Sequence, residues 1–562
     1  LTLDSFASTI KTPMAPSRFL QPIALLILGV LLLSLSFAPM GQFYLAWIGL
    51  VPWLIVVARC KSQKSVFWWS WLGGTLFFIA NMWWLAAVTL PGMIALMIYC
   101  GLYWPLAGLV IRGARLLEAG AFGVFSIATI WTASEWLRGH VITGMPLFYL
   151  GHSQTPILAM CQVADLGGAY AVTFWVATIN ALGAMYWLNR TNWRPLLPAA
   201  SRVVGLVLCV FVYGLWRIGQ TPASLHAGPT VAVIQPNYPQ TNSGQKGASL
   251  DDRLRFHLDQ TNAALAKAGG KVDLVVWSET MMPPINLEAR QEFTDTARLY
   301  DILSGTAAQR HVAMLIGAEY SADFADEVRD GQTYRIGRDN RNSAFLFDAS
   351  GRMDDSLGKR YDKIHLLPFG EFIPFKESLP FLYRIFLSLG PQYYSDYELQ
   401  PGDKDERTVF ELPMGVGQTD RFVTPICFED LDADLVAAMF RPTDGSDRKR
   451  ADFVVNITND GWFQGNENWD HLQAGIFRCI ENRVPTARSV NTGISGFIDS
   501  TGRTSHLLPV RTSGFAVGQL ILDDRLTIYT RGGDFFADLC VVLSAGIAWA
   551  AWLRRQGART SS

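Results

Sequence analysis

Apolar positions follow two different patterns along this chain. Between about 20 and 218 they run almost unbroken, in stretches at 20–38, 43–58, 66–88, 93–111, 121–137, 166–188 and 203–218. Each approaches the roughly 20 residues that cross a hydrocarbon core. An eighth stretch covers 535–553, and the second, seventh and eighth are short or interrupted. Lys11 and Arg18 before the first stretch and Ala38 near its end resemble a signal peptide, but the runs that follow favour an uncleaved first helix. From 220 to 533 the pattern changes to short apolar runs separated by helix-period segments and turns. The division predicts a membrane domain over 1–219 with seven helices, a globular domain over 220–533, and a last span with a tail over 534–562.

Within the globular part, strands are predicted at 231–235, 274–277, 312–317, 345–349, 422–427 and 453–458. Helical periodicity covers 249–268, 288–305, 431–440 and 470–483. Phe345–Arg352 and Gly496–Arg503 share a strand-plus-turn pattern. The alternation reads as α/β, with two stacked sheets flanked by helices.

Composition adds direction. Half of the residues are hydrophobic and 17% are charged, against about 25% charged in an ordinary soluble domain. Basic residues follow the second run (Arg59, Lys61, Lys64), the fourth (Arg112, Arg115), the sixth (Arg190, Arg194, Arg202) and the eighth (Arg554, Arg555, Arg559). The alternate loops 39–42 and 89–92 have none, and 138–165 has only Arg138. The positive-inside rule then puts both termini in the cytoplasm and the globular domain on the outer face. Trp68, Trp69, Trp71, Trp83 and Trp84 are expected to anchor the third span at the interface. Glu135 and Arg138 are expected to pair at a span end. A net charge of −1 without a basic face argues against nucleic acid. Seven scattered cysteines with no CxxC argue against a zinc site or disulfide framework. Neither His365 nor His471 has a ligand partner at i+4, so no metal and no cofactor are expected.

Three polar residues stand at the ends of apolar runs: Glu279 after Val275-Val276-Trp277-Ser278, Lys363 in Tyr361–Glu371, and Cys427 after Thr424-Pro425-Ile426. Strand ends are where α/β folds gather reactive groups. Singly, each has a plainer explanation: a small buried hydrophobe, a helix cap, a surface lysine. Cys479, in the middle of a predicted helix, is expected to be core packing.

In combination these contexts resemble the nitrilase superfamily, and the membrane frame narrows the resemblance to the apolipoprotein N-acyltransferases. It runs through Phe37-Ala38-Pro39, Ser134–Gly139, Gly144-Met145-Pro146, Gly151–Gln154, Val276–Thr280, Lys363–Glu371, Ile426–Glu429, Asn459–Phe463 and Asn491–Ser495. It implies an αββα sandwich inserted between the seventh and eighth of eight membrane helices. It implies Cys427 as nucleophile, Glu279 as general base and Lys363 as oxyanion stabiliser. Glu371, Glu429, Phe428 and Trp462 are supporting or substrate-binding residues by the same resemblance; Glu371 and Glu429 orient Lys363 or the substrate amine, or else serve as structural ion-pair partners.

The implied substrates are a phospholipid acyl donor, phosphatidylethanolamine first, and the N-terminal diacylglyceryl-cysteine of lipoproteins, in the bacterial inner membrane. The sequence departs from the family twice. Phe428 replaces the usual tyrosine, removing a phenol, and Gln240–Gly244 offers no tryptophan for holding lipid. Apolar residues 375–400 read as a core helix or as a membrane-touching lid. The alternatives in function are a membrane-tethered amidase with water as acceptor, and a transporter or lipoprotein-binding scaffold. The scarcity of intramembrane charge opposes a transporter.

Overall fold

The computed structural model describes residues 17–560 except 143, 241–246, 330, 390–397, 416, 444 and 464. The stretch 241–244 and part of 375–400 lie outside the described residues.

The described residues up to Gln220 are mainly helical: α1 (Ser17–Ser36), α2 (Val51–Arg59), α3 (Gln63–Met82), α4 (Leu90–Gly101), α5 (Tyr103–Gly113), α6 (Gly120–His140), α7 (Ala164–Leu188) and α8 (Leu197–Gln220). The 93–111 run is two helices, broken at Leu102. Among the described residues, four helical stretches are long and apolar enough to cross a membrane: Leu90–Gly113, Ala164–Leu188, Arg194–Ser224 and Phe535–Gly557. Leu20–Ser36 and Phe43–Arg59 are shorter apolar helices.

The sandwich follows. Its first sheet holds β1 (Leu225–Gln235), β2 (Leu274–Met282), β3 (Ala313–Arg329), β4 (Gln332–Phe347), β5 (Tyr361–Asp362) and β12 (Gly514–Asp523), in the order β12-β1-β2-β3-β4-β5. Its second holds β6 (Phe410–Gly415), β7 (Gln418–Val423), β8 (Phe453–Asn459), β9 (Thr486–Asn491), β10 (Gly496–Ile498) and β11 (Thr504–Ser505), in the order β11-β10-β9-β8-β7-β6. The sheets stack through one core that joins Val231, Val276 and Leu315 to Phe422, Val455 and Ala487. Helices α9 (Leu250–Lys267) and α10 (Thr294–Arg310) cover the first sheet, where Ala264 and Leu303 pack with Val275 and Ile316. On the second sheet, α12 (Ala433–Phe440) packs Val436 and Phe440 with Phe422 and Phe453, and α13 (Glu467–Asn482) packs Ile476 and Ile480 with Ile498. Helix α11 (Pro380–Leu389) lies outside these layers, and α14 (Phe535–Thr560) closes the chain. These are the stacked sheets that the alternation predicts.

Several local expectations need correcting. The helix expected over 288–305 breaks at Phe293 into Leu287–Glu292 and α10, because Phe293 has an extended backbone. The strand expected to reach Cys427 stops at Val423; Pro425 cannot donate to a ladder, and Cys427 opens a 3-10 turn. Glu135 and Arg138 do not pair. Glu135 accepts from Trp131 Nε1, the Leu150 N–H and Thr173 Oγ1, while Arg138 donates to the Met145 and Leu147 carbonyls. A buried carboxylate satisfied by three donors has no need of the arginine. Trp84 is not an interface anchor: it is buried, with its ring 4.8 Å from Phe463 of the sandwich. Cys479 is core, fully buried beside Thr486.

Helical part and sandwich share buried polar contacts. Asp165 takes Arg217 at 2.6 Å and Arg483 at 2.8 Å, and the Ala169 N–H donates to Glu481. Beside them Gly168 has φ +69°, and a Cβ there would stand 2.7 Å from the Tyr529 ring. A side chain would therefore hold the two parts away from each other.

Candidate active site

Glu279 sits where β2 loses its pairing with β3: the register shifts between Trp277 and Met282. Gly317 of β3 passes close to this break, and a Cβ there would stand 2.4 Å from the Ser278 carbonyl oxygen and 2.8 Å from Glu279 Cα. Lys363 follows β5 directly. Pairing of Ser343 with Asp362 places Asn342 opposite Lys363, whose N–H donates to the Asn342 carbonyl. Cys427 lies past the end of β7 with φ +53°, a left-handed backbone that side-chain-bearing residues rarely take. Such strain persists only where the surroundings enforce it, and it clusters at functional sites.

These three residues meet. Lys363 Nζ lies 3.3 Å from Glu279 Oε1 and 2.9 Å from Glu371 Oε2. The Cys427 thiol lies close enough to the Glu279 carboxyl group and to Lys363 to feel both charges. All three are nearly covered, with Cys427 6% exposed. Asn342 Nδ2 donates to Glu279 at 2.6 Å and to Glu371 at 2.8 Å, fixing the two carboxylates on either side of the ammonium. Among the described residues Glu279 Oε2 has no conventional hydrogen-bond partner, which leaves it free to take a proton.

The electrostatics follow from burial. Desolvation raises the Glu279 pKa; Lys363 offsets part of that and Glu371 adds to it. Burial and the Glu279 charge hold the Cys427 thiol well above its ordinary value, against the pull of Lys363. Burial alone would lower the Lys363 pKa, but the Glu371 and Glu279 carboxylates hold it well above the usual lysine value. The resting site is therefore a neutral thiol beside an ammonium flanked by two carboxyl groups.

The supporting residues separate by geometry. Glu371 touches Lys363 and also accepts the Leu367 N–H. Glu429 forms no hydrogen bond or ion pair with the Lys363 side chain. Its two oxygens accept the Ile364, His365 and Ile426 N–H groups and the Tyr361 hydroxyl. It ties the backbone after Lys363 to the backbone before Cys427, and burial pushes its pKa up to about 7. Phe428 is buried with its ring 5.4 Å from His365, and it packs into the core of the helical bundle. Leu431, Leu367 and Phe463 join the same core. Trp462 is half-buried at the start of the loop that carries Phe463 to Trp84. Asn342 and Tyr361 were not predicted. Nothing local marks them, since both act through sheet register.

The N-terminal domain of apolipoprotein N-acyltransferase is the family model that matches, over residues 29–182. A curated apolipoprotein N-acyltransferase of Geobacter metallireducens is 30% identical over 549 residues, 94% of this chain and 95% of that protein. One of Chlorobaculum tepidum is 26% identical over 96% of this chain and 99% of that protein. The chain belongs to the apolipoprotein N-acyltransferase family. It is thus an acyltransferase, and its apolar helices fit a membrane protein.

Among solved structures, a carbon-nitrogen hydrolase of Helicobacter pylori G27 is 13% identical with a TM-score of 0.33, covering 52% of this chain and 88% of that one. An amidase of Nesterenkonia sp. is 15% identical with a TM-score of 0.35, covering 56% of this chain and 97% of that one.

Proposed function

We propose that this enzyme N-acylates the N-terminal diacylglyceryl-cysteine of lipoproteins, taking the acyl chain from a phospholipid, phosphatidylethanolamine first, through a thioester on Cys427. The observation that carries the reading is the position of the nucleophile. Phe428, directly after Cys427, is part of the apolar core of the helical bundle, and Leu367, in the loop after Lys363, packs against it. An acyl chain moving along that bundle meets the thiol without crossing water.

Glu279 takes the thiol proton and the sulfur attacks the ester carbonyl. Lys363 stabilises the tetrahedral oxyanion, in the kind of role where one lost donor costs about 2.7–4 kcal/mol. Collapse breaks the ester C–O bond. The lysophospholipid leaves with the proton from Glu279, and the thioester remains. The lipoprotein α-amine then attacks the thioester, Glu279 accepts its proton, and Cys427 departs as a thiol.

Eight membrane passages, with 220–533 on the outer face and both termini inside, give this chemistry access to the outer leaflet. Arg555 supports that layout, since its guanidinium nitrogen stands 2.8 Å from where a Gly113 Cβ would be. The C-terminal basic cluster therefore lies at the same bundle end as Arg112.

Intact-mass analysis after incubation with phospholipid tests the reading. The wild type gains one acyl mass, Cys427→Ala gains none, and a diacylglyceryl peptide removes the increment and becomes N-acylated. Free fatty acid as the only product would make the enzyme a membrane-tethered hydrolase instead.

A further inference from the structure

A polar cavity lies at the opposite end of the bundle. It measures about 470 Å³ and opens between α2, α5, the start of α6, the end of α7 and the turn before α8. Helix α6 has 21 residues and so is roughly 30 Å long. Its far end carries His140, which meets Asp534 beside the sandwich. The cavity thus lies about 30 Å from the end of α6 that meets Asp534.

Its polar lining is Arg112, Arg115, Glu118, Asn189 and Asn192, and the rest is aliphatic, including Met185 and Leu188. Arg112 is half-buried and donates Nε to the Cys60 carbonyl at 3.3 Å. Its guanidinium has no carboxylate partner among the described residues. Arg115 pairs with Glu118, and Arg555 approaches Gly113 from α14. The cavity lining thus holds two arginines and one carboxylate.

The start of α6 borders the same space, with Gly120 in the lining. No side chain caps it, and Gly120 has nothing within 4 Å of where its Cβ would stand. Uncapped helix N–H groups and arginine forks both suit phosphate oxygens. The aliphatic wall suits the glycerol and upper acyl segments, which a free anion lacks. Basic pockets between membrane helices on the cytoplasmic side recognise anionic headgroups.

We propose that this cavity binds the phosphate of an anionic glycerophospholipid as a non-substrate ligand. Its assignment to the inner leaflet rests on the topology proposed above. Occupancy itself does not, because the site shares no residue with the Cys427 centre.

The test is native mass spectrometry of the full-length protein with phosphatidylglycerol. The expected result is at least fivefold lower retained lipid in the double variant Arg112→Gln/Arg115→Gln. Retention should be intermediate in the double variant Arg112→Lys/Arg115→Lys, which keeps the charge and loses the forks, and near wild type in Lys61→Gln/Lys64→Gln, which lowers charge outside the cavity. Asn192→Trp fills the cavity without altering charge, and it should lower retention at least threefold even if the double glutamine variant misfolds. Cys427→Ala should retain lipid as the wild type does, which separates this site from the catalytic reading. Equal retention in the wild type and Asn192→Trp, or equal loss in Lys61→Gln/Lys64→Gln, would overturn the proposal. So would displacement of the lipid by millimolar inorganic phosphate, which would mark a small-anion site.

Discussion

Glu135 and Arg138 in α6 are as deeply buried as Glu279 and Lys363 in the sandwich, yet the two sets are partnered in opposite ways. In the helix, both oxygens of Glu135 accept hydrogen bonds from neutral donors, and Arg138 is held by two carbonyls and the faces of Phe78 and Tyr149. In the sandwich, Glu279, Lys363 and Glu371 are set against one another, and among the described residues one Glu279 oxygen has no hydrogen-bond partner. The first arrangement stabilises a loop against a helix. The second leaves a proton acceptor poised beside a thiol. Burial of charge is thus no guide to chemistry; the unspent hydrogen-bonding capacity is.

The comparison breaks most sharply under paired substitutions. Glu279→Gln should lower kcat by about 10²- to 10⁴-fold, the usual worth of a positioned general base, with melting temperature nearly kept. Glu135→Gln should do the reverse: kcat within about twofold of wild type, and a loss of about 1–3 kcal/mol from disturbed buried hydrogen bonds. Comparable losses of kcat in both would show that Glu279 acts structurally.

Next in size is the pH response. Glu279 accepts a proton only when ionised, and burial raises its pKa. The rate should therefore fall with decreasing pH at a point above the ordinary glutamate value of about 4.3. An acid limb at or below that value in a kcat/KM profile would mean that Glu279 is not the base that titrates.

Asn342→Leu sharpens the point. The Asn342 hydrogen bond favours the ionised form of Glu279, so its removal should shift the acid limb to higher pH. It should also reduce kcat by roughly 10- to 100-fold, in line with the 1.5–3 kcal/mol typical of a bond to a charged group. A lower kcat with an unmoved limb would confine Asn342 to packing.

That residue also marks the limit of what the chain discloses before it folds. Unbroken apolar runs and the contexts of Glu279, Lys363 and Cys427 are local, and each is legible over a few positions. Asn342 reaches Lys363 only because β4 pairs with β5 in one register, and Tyr361 reaches Glu429 across 68 positions. Glu135 and Arg138 mislead for the same reason: spacing of three on a helix suggests a pair, but apart from Trp131 their partners come from 145–150 and 173. Trp84 looked like an anchor because Phe463, which covers it, is far away in the sequence.

Helix α11 offers the smallest expected effect. The sequence left it between a core helix and a lid, and its exposure excludes the core: Phe381 is 62% and Ile385 48% exposed. These two lie four positions apart, on one helical face. Phe386 turns the other way, with its ring 5.2 Å from Phe369 in the Lys363–Glu371 block. One side of the helix thus grips the loop that carries the ammonium while the other exposes Phe381 and Ile385 beside Arg384 and Ser388, as an amphipathic segment resting on lipid would. Phe381→Ser should raise KM for bilayer-presented phospholipid a few-fold and leave kcat on a soluble short-chain ester unchanged. Phe386→Ser, by loosening the grip on Phe369, should lower kcat on both substrates. Unchanged kinetics on bilayers for both variants would remove the lid, and a shared loss on the soluble ester would reduce α11 to a support for the Lys363 loop.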